Sequence, residues 1–163
     1  MRIGDRAFGV NGVFVWWPGD WPFFTGTGRV YAHDPECRSG FIFTVWPVAD
    51  EDSLAGFAEE YHGVHHSPFK VQAYLEPAQA LQLSPVERRE ILGHAMLCVS
   101  GTFVSHGSSV GYAAVALDVA THQVQEWAAA MVSASSLDGP VVALDVARTI
   151  ALSCLAPTER TAG

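Results

Sequence analysis

Lysine is nearly missing from this chain. Lys70 is the single example, and lysine and arginine together number 9 against 17 aspartates and glutamates. A nucleic-acid binder needs a basic footprint, and a formal charge of −8 at pH 7 excludes that class. If charge steers any encounter, it favours a basic protein partner. Charge of either sign is also scarce, at 16% of residues where about 25% is usual. So few charges leave apolar surface for a subunit interface or a pocket to absorb, and a homo-oligomer is the simpler expectation. Cysteine is sparse as well. Cys37, Cys98 and Cys154 are odd in number and show no CxxC spacing, which excludes a disulfide framework and a zinc ribbon. A reducing compartment follows. Cys98 and Cys154 sit in apolar segments as inert core thiols. Cys37 lies between Glu36 and Arg38, whose opposite influences on its pKa cancel, and reads as a surface thiol. The N-terminal residues contain no apolar signal run, so a cytoplasmic protein with no membrane partner is expected. No internal repeat and no low-complexity tract appears.

What the chain does have is apolar residues, 49% of the total. They concentrate first in residues 138–155. Asp138 is placed to cap a helix, Pro140 fits the first turn and Pro157 marks the stop. Between them only Asp145, Arg148, Thr149 and Ser153 are polar, which predicts a core helix buried on most sides. Asp145 and Arg148 near its middle argue against a membrane span. Residues 6–33 read as short strands, with Asn11-Gly12 a tight turn or a bulge, interrupted by the proline-rich stretch 16–24. Asp34 to Gly40 is a turn and Phe41 to Trp46 a strand. Leu54, Phe57, Ala58 and Tyr61 form a helical stripe over 53–61, capped by Asp50 or Asp52. A loop over 62–68 and a strand over 69–75 follow. Ser84-Pro85-Val86-Glu87 matches a capping box and predicts a helix to about Cys98. Val110 to Asp118 and Gln123 to Trp127 read as a hairpin, and Met131 to Leu137 as a small-residue linker. The expected fold is α+β: a single antiparallel sheet around the buried C-terminal helix, two further helices, all helices on one face. Residues 1–157 are expected to form a single domain and 158–163 a frayed tail.

Chemistry is thinly signposted. His62, His65 and His66 in His62-Gly63-Val64-His65-His66 are the candidates for a metal, but H-x-x-H-H matches no ligand spacing, so no metal and no cofactor is expected. His62, His65 or His106 could serve as an acid–base group with a carboxylate. His94 stands four residues from Glu90, the spacing of an exposed helical ion pair. The loop around His106 is rich in serine and glycine, yet it lacks both the P-loop order and a nucleophile elbow. The aromatic stretch Phe14 to Phe24 is the most unusual feature. Trp16, Trp17, Trp21, Phe23 and Phe24, with Asp20 among them, cannot all face a core from so irregular a segment. Exposed aromatics mark an interface or a ligand pocket. The leading expectation is a non-enzymatic acidic binding protein, of the immunity or inhibitor kind, that engages a protein or small ligand through this loop. The alternative is a small cofactor-independent enzyme, isomerase-, cyclase- or hydrolase-like, with a histidine–carboxylate pair in an aromatic-lined apolar pocket. A third is a structural subunit of a larger assembly.

Overall fold

The computed structural model describes residues 4, 6–10, 12–26, 28–47, 50–61, 79–105, 107–119 and 129–155. In chain order they form β1 (Arg6–Val10), β2 (Val13–Trp17), β3 (Phe23–Gly26), β4 (Arg29–His33), β5 (Ser39–Trp46), α1 (Glu51–Tyr61), β6 (Gln79–Leu83), β7 (Glu87–Ile91), β8 (His94–Ser105), β9 (Ser108–Asp118), β10 (Ala129–Ser136) and α2 (Pro140–Ser153). The fold is α+β and mostly sheet. It departs from the expected single sheet: β1 and β2 pair as a separate two-stranded ribbon, and the other eight strands form one antiparallel sheet. Its order is β3-β4-β5-β10-β9-β8-β6, with β7 also on β8.

Four hairpins share one device. β1–β2, β3–β4, β7–β8 and β8–β9 are each joined by two residues, and the second is always glycine: Gly12, Gly28, Gly93 and Gly107. All four have φ between 69° and 83°, the left-handed conformation that a type I′ turn requires. The β7–β8 turn overturns the helix expected over 84–98. Leu92 and Gly93 both have positive φ, 53° and 80°, so the chain reverses and Glu87–Ile91 pairs with His94–Cys98. Ser84 caps nothing. Its N–H donates to the Ser100 carbonyl, and its Oγ accepts from the Ser100 N–H at 3.1 Å. The local capping signal loses to pairing along β8. His94 is therefore not on a helix with Glu90; its Nδ1 lies 2.8 Å from the Asp118 carbonyl.

The expected linker is the centre of the sheet. Every residue of β10 is buried, flanked by β5 and β9. A strand covered on both faces has no polar alternation to reveal it. Its alternate residues enter two cores, which places the helices on opposite faces rather than one. Ala130, Val132 and Ala134 pack with Ala143, Val146, Ala147, Ile150 and Ala151 of α2. Ala129 and Met131 pack with Leu54, Phe57 and Ala58 of α1. Asp50 caps α1, accepting from the Ser53 N–H at 2.7 Å, and those bonds hold its carboxyl below the usual range.

α2 is the expected core helix in part. One face is buried, but Val141 is 81% exposed and Val142 is also open, because the β1–β2 ribbon reaches only the C-terminal end, where the Trp16 N–H donates to Ser153 Oγ at 2.9 Å. Asp138 is not the cap. Gly139, with φ 110°, takes that position, and its backbone lies so flat on β9 that a Cβ on Gly111 would fall 1.9 Å from the Gly139 carbonyl carbon. No helix among the described residues is long and apolar enough to cross a membrane. Gln123 to Trp127, the strand expected over 69–75 and residues 158–163 lie outside the described residues.

Candidate binding edge

The aromatic stretch divides cleanly once folded. Trp16, Trp17 and Trp21 are buried, with Trp17 fully so. The expectation that these indoles reach solvent is not met. The chain enters the sheet through them: Trp17 meets Phe41 edge-on at 5.8 Å, and Trp21 lies 6.2 Å from the same ring. Trp21 is held by its N–H to the Pro18 carbonyl, 3.1 Å, a tight turn made by the two prolines and the glycine. Phe23 and Phe24 go the other way. They are 38% and 58% exposed on β3, the terminal strand of the large sheet among the described residues, where all four residues are exposed. Asp20 is exposed in the turn before it. Phe14, where the aromatic stretch begins, is 51% exposed on β2, with its ring lying over Gly9. Alternation along β2 was the available signal, since Val13 and Val15 point inward.

β3 is backed by packed side chains. Trp17 packs edge-on against Phe23 at 5.7 Å. The Arg6 guanidinium lies 4.8 Å over that ring and donates to the Gly19 carbonyl at 3.0 Å. Phe24 stacks on His33 at 6.5 Å and 18°. His33 Nδ1 is 2.8 Å from the Asp34 carbonyl and 3.5 Å from Cys37 Sγ. A carbonyl can only accept, so Nδ1 carries the proton and donates. The turn holding them is braced by Asp34, whose carboxylate accepts from the N–H groups of Glu36, Arg38 and Ser39. Arg38 then reaches across to Asp138, donating from Nε at 3.1 and 3.2 Å. That contact lowers the Asp138 pKa and raises that of Arg38.

Comparison with known proteins adds little. No family model matches the chain, and no curated protein does. Among solved structures it is similar to PA94 from Pseudomonas aeruginosa, a protein of unknown function suggested to be a regulator. The identity is 12% over 93% of this chain and 96% of that one, with a TM-score of 0.41. So distant a likeness assigns no activity.

The remaining candidates scatter. His62, His65, His66 and His106 lie outside the described residues. Burial raises the pKa of the Cys98 and Cys154 thiols, which makes both poor nucleophiles. Tyr112, whose pKa burial also raises, donates to the Ala58 carbonyl and accepts from Ser133 Oγ. That chain ties α1 to the sheet through groups with no route to solvent.

Proposed function

We propose that this chain is a non-enzymatic binding protein, of the inhibitor or immunity kind, that works by offering the open edge of β3 to a protein partner. The observation that carries the reading is the exposure of all four β3 residues at the end of the sheet. An unpaired strand edge is a template for another chain, and main-chain hydrogen bonds supply affinity while flanking side chains supply selection. Phe23 and Phe24 are the anchors. Asp20 is the flanking charge. Trp16, Trp17 and Trp21 serve the site from behind, because rings locked in the core keep β3 from moving and lower the ordering cost of binding.

Capture from the native host tests this. Wild-type protein and the Thr25→Pro and Phe24→Lys variants would be compared as baits. A protein held by the wild type and lost by both variants is the expected result. Equal recovery by all three removes the edge as the contact.

A further inference from the structure

The geometry points to a second copy of this chain as the partner at β3, joined by antiparallel pairing of the two β3 strands about a two-fold axis at Phe24. This rests on the binding reading above and names its partner.

The ladder defines which groups face outward. The His33 N–H donates to the Pro22 carbonyl at 3.2 Å, and Phe23 lies opposite Ala32. Residues 22 and 33 are thus a hydrogen-bonded pair. Such pairs alternate with non-bonded ones in an antiparallel ladder, so Phe24–Tyr31 and Gly26–Arg29 are bonded, while Phe23–Ala32 and Thr25–Val30 are not. The N–H and C=O groups of Phe23 and Thr25 therefore point away from β4, at the open edge.

These positions are self-complementary. With Phe24 opposite Phe24 of a second copy, Phe23 falls opposite Thr25 twice. Each of those pairs can exchange both of its hydrogen bonds, so every outward group between residues 23 and 25 is used. The two Phe24 rings meet at a non-hydrogen-bonded pair, where opposed side chains lie closest, and aromatic pairs are favourable across strands. Charge agrees with this register. Antiparallel pairing sets the end of β3 nearest the exposed Asp20 of one protomer beside the Arg29 end of the other, and does so twice. Arg6 lies over Phe23 and donates to Gly19, and the Arg29 guanidinium lies 6.0 Å from the Tyr31 ring.

The other end of the sheet shows what a protected edge looks like here. β7 presents Glu87, Arg88, Arg89 and Glu90, all exposed, with Glu87 and Arg89 ion-paired. β6 is broken by a register shift with Ala80 at φ 56°. Charges and bulges of this kind blunt edges against pairing. β3 carries neither, and Pro22 lies just before its first residue, where no outward N–H is needed. The joined sheets form an isologous interface that closes on itself, because the guarded ends point outward.

Light scattering and sedimentation of the purified wild-type chain across micromolar concentrations should give twice the 17.5 kDa chain mass. Phe24→Lys puts like charges on the axis and should raise the dimer Kd by at least about tenfold. Thr25→Pro removes an outward N–H without touching the β3–β4 ladder, so it should give a monomer whose circular dichroism and melting temperature match the wild-type monomer. Phe14→Lys, away from β3, should leave the dimer intact. Phe24→Cys in a Cys37→Ser background should cross-link under mild oxidation, since opposed residues at a non-bonded pair have the spacing a disulfide needs. A monomeric wild type that fails to cross-link through residue 24 overturns self-pairing, while leaving the binding reading to its own capture test. A dimer that survives both Thr25→Pro and Phe24→Lys overturns self-pairing at β3 and likewise leaves the binding reading to the capture test.

Discussion

The two ends of the large sheet are built from opposite chemistry. One ends in Phe23-Phe24-Thr25-Gly26, uncharged and exposed. The other ends in Glu87-Arg88-Arg89-Glu90, exposed and paired in charge, beside the bulged β6. Both are edges of the same sheet, so solvent access alone does not explain the difference. What differs is support. β3 rests on Trp17 and Arg6, which hold it in place without covering its edge. β6 is pinned against β8 so closely that a Cβ at Gly101 would lie 1.7 Å from the Gln82 carbonyl oxygen. One end is closed by charge and backbone contact, and the other is left open.

Glycine substitutions at the two ends break the comparison most sharply. Gly101→Val forces β6 off β8 and should cost about 3 kcal/mol or more by urea denaturation. Gly26→Val on β3 has no neighbour closer than 3.5 Å, so its cost should stay within about 0.5 kcal/mol. Equal losses would mean that the ends are held alike. The second experiment removes the guard. Arg88→Val with Glu90→Val gives β7 the character of β3, and light scattering should then rise with concentration as open-ended association begins. A double variant that stays at the wild-type mass would show that charge is not what protects that end. A smaller effect is expected in the β7–β8 turn. Leu92 is 79% exposed at φ 53°, so its side chain contributes little and its backbone is strained. Leu92→Asn should raise stability by about 1 kcal/mol, since Asn-Gly suits a type I′ turn. A loss instead would mean that the leucine packs on something. The smallest effect concerns the brace behind β3. Hydrogen bonding from Arg38 lowers the folded-state pKa of Asp138, so its contribution is full above the unfolded value near about 4 and is lost as pH falls through the lower folded value. The denaturation midpoints of wild type and Asp138→Asn should differ slightly at neutral pH and converge in acid. A gap that widens in acid would reverse the sign.

Much of the architecture was legible from local pattern. The early hairpin at Gly12, the strand through Trp46, the stripe of α1 with its Asp50 cap and the apolar run of α2 all reach the structure as helices or strands of the expected kind. The misreadings have physical causes. Ser84-Pro85-Val86-Glu87 is a sound helix start in isolation, but the Leu92-Gly93 turn lets the same residues pair with β8, and a ladder outweighs one cap. Leucine is an uncommon first residue for such a turn, so the signal was faint. The x-Gly pairs at 27–28 and 106–107 repeat the Asn11-Gly12 device and were readable. β10 looked like a linker because a strand covered on both sides needs small residues rather than alternating ones. The indoles deceived for a related reason. Two prolines and a glycine exclude regular structure around them, yet an irregular segment can still turn its rings inward when a sheet waits behind it.

Composition and periodicity by themselves determined the net charge of −8, the α+β class and a helix with a core-facing side within residues 138–155. Those properties depend on charge totals and on spacing along one segment, which need no knowledge of neighbours. Only the tertiary structure decided which strand became an edge, which aromatic rings were buried and which face each helix took. These depend on what lies beside a residue across the sheet, and residues such as Phe24 and Trp17, seven positions apart, are separated only by where the strands place them.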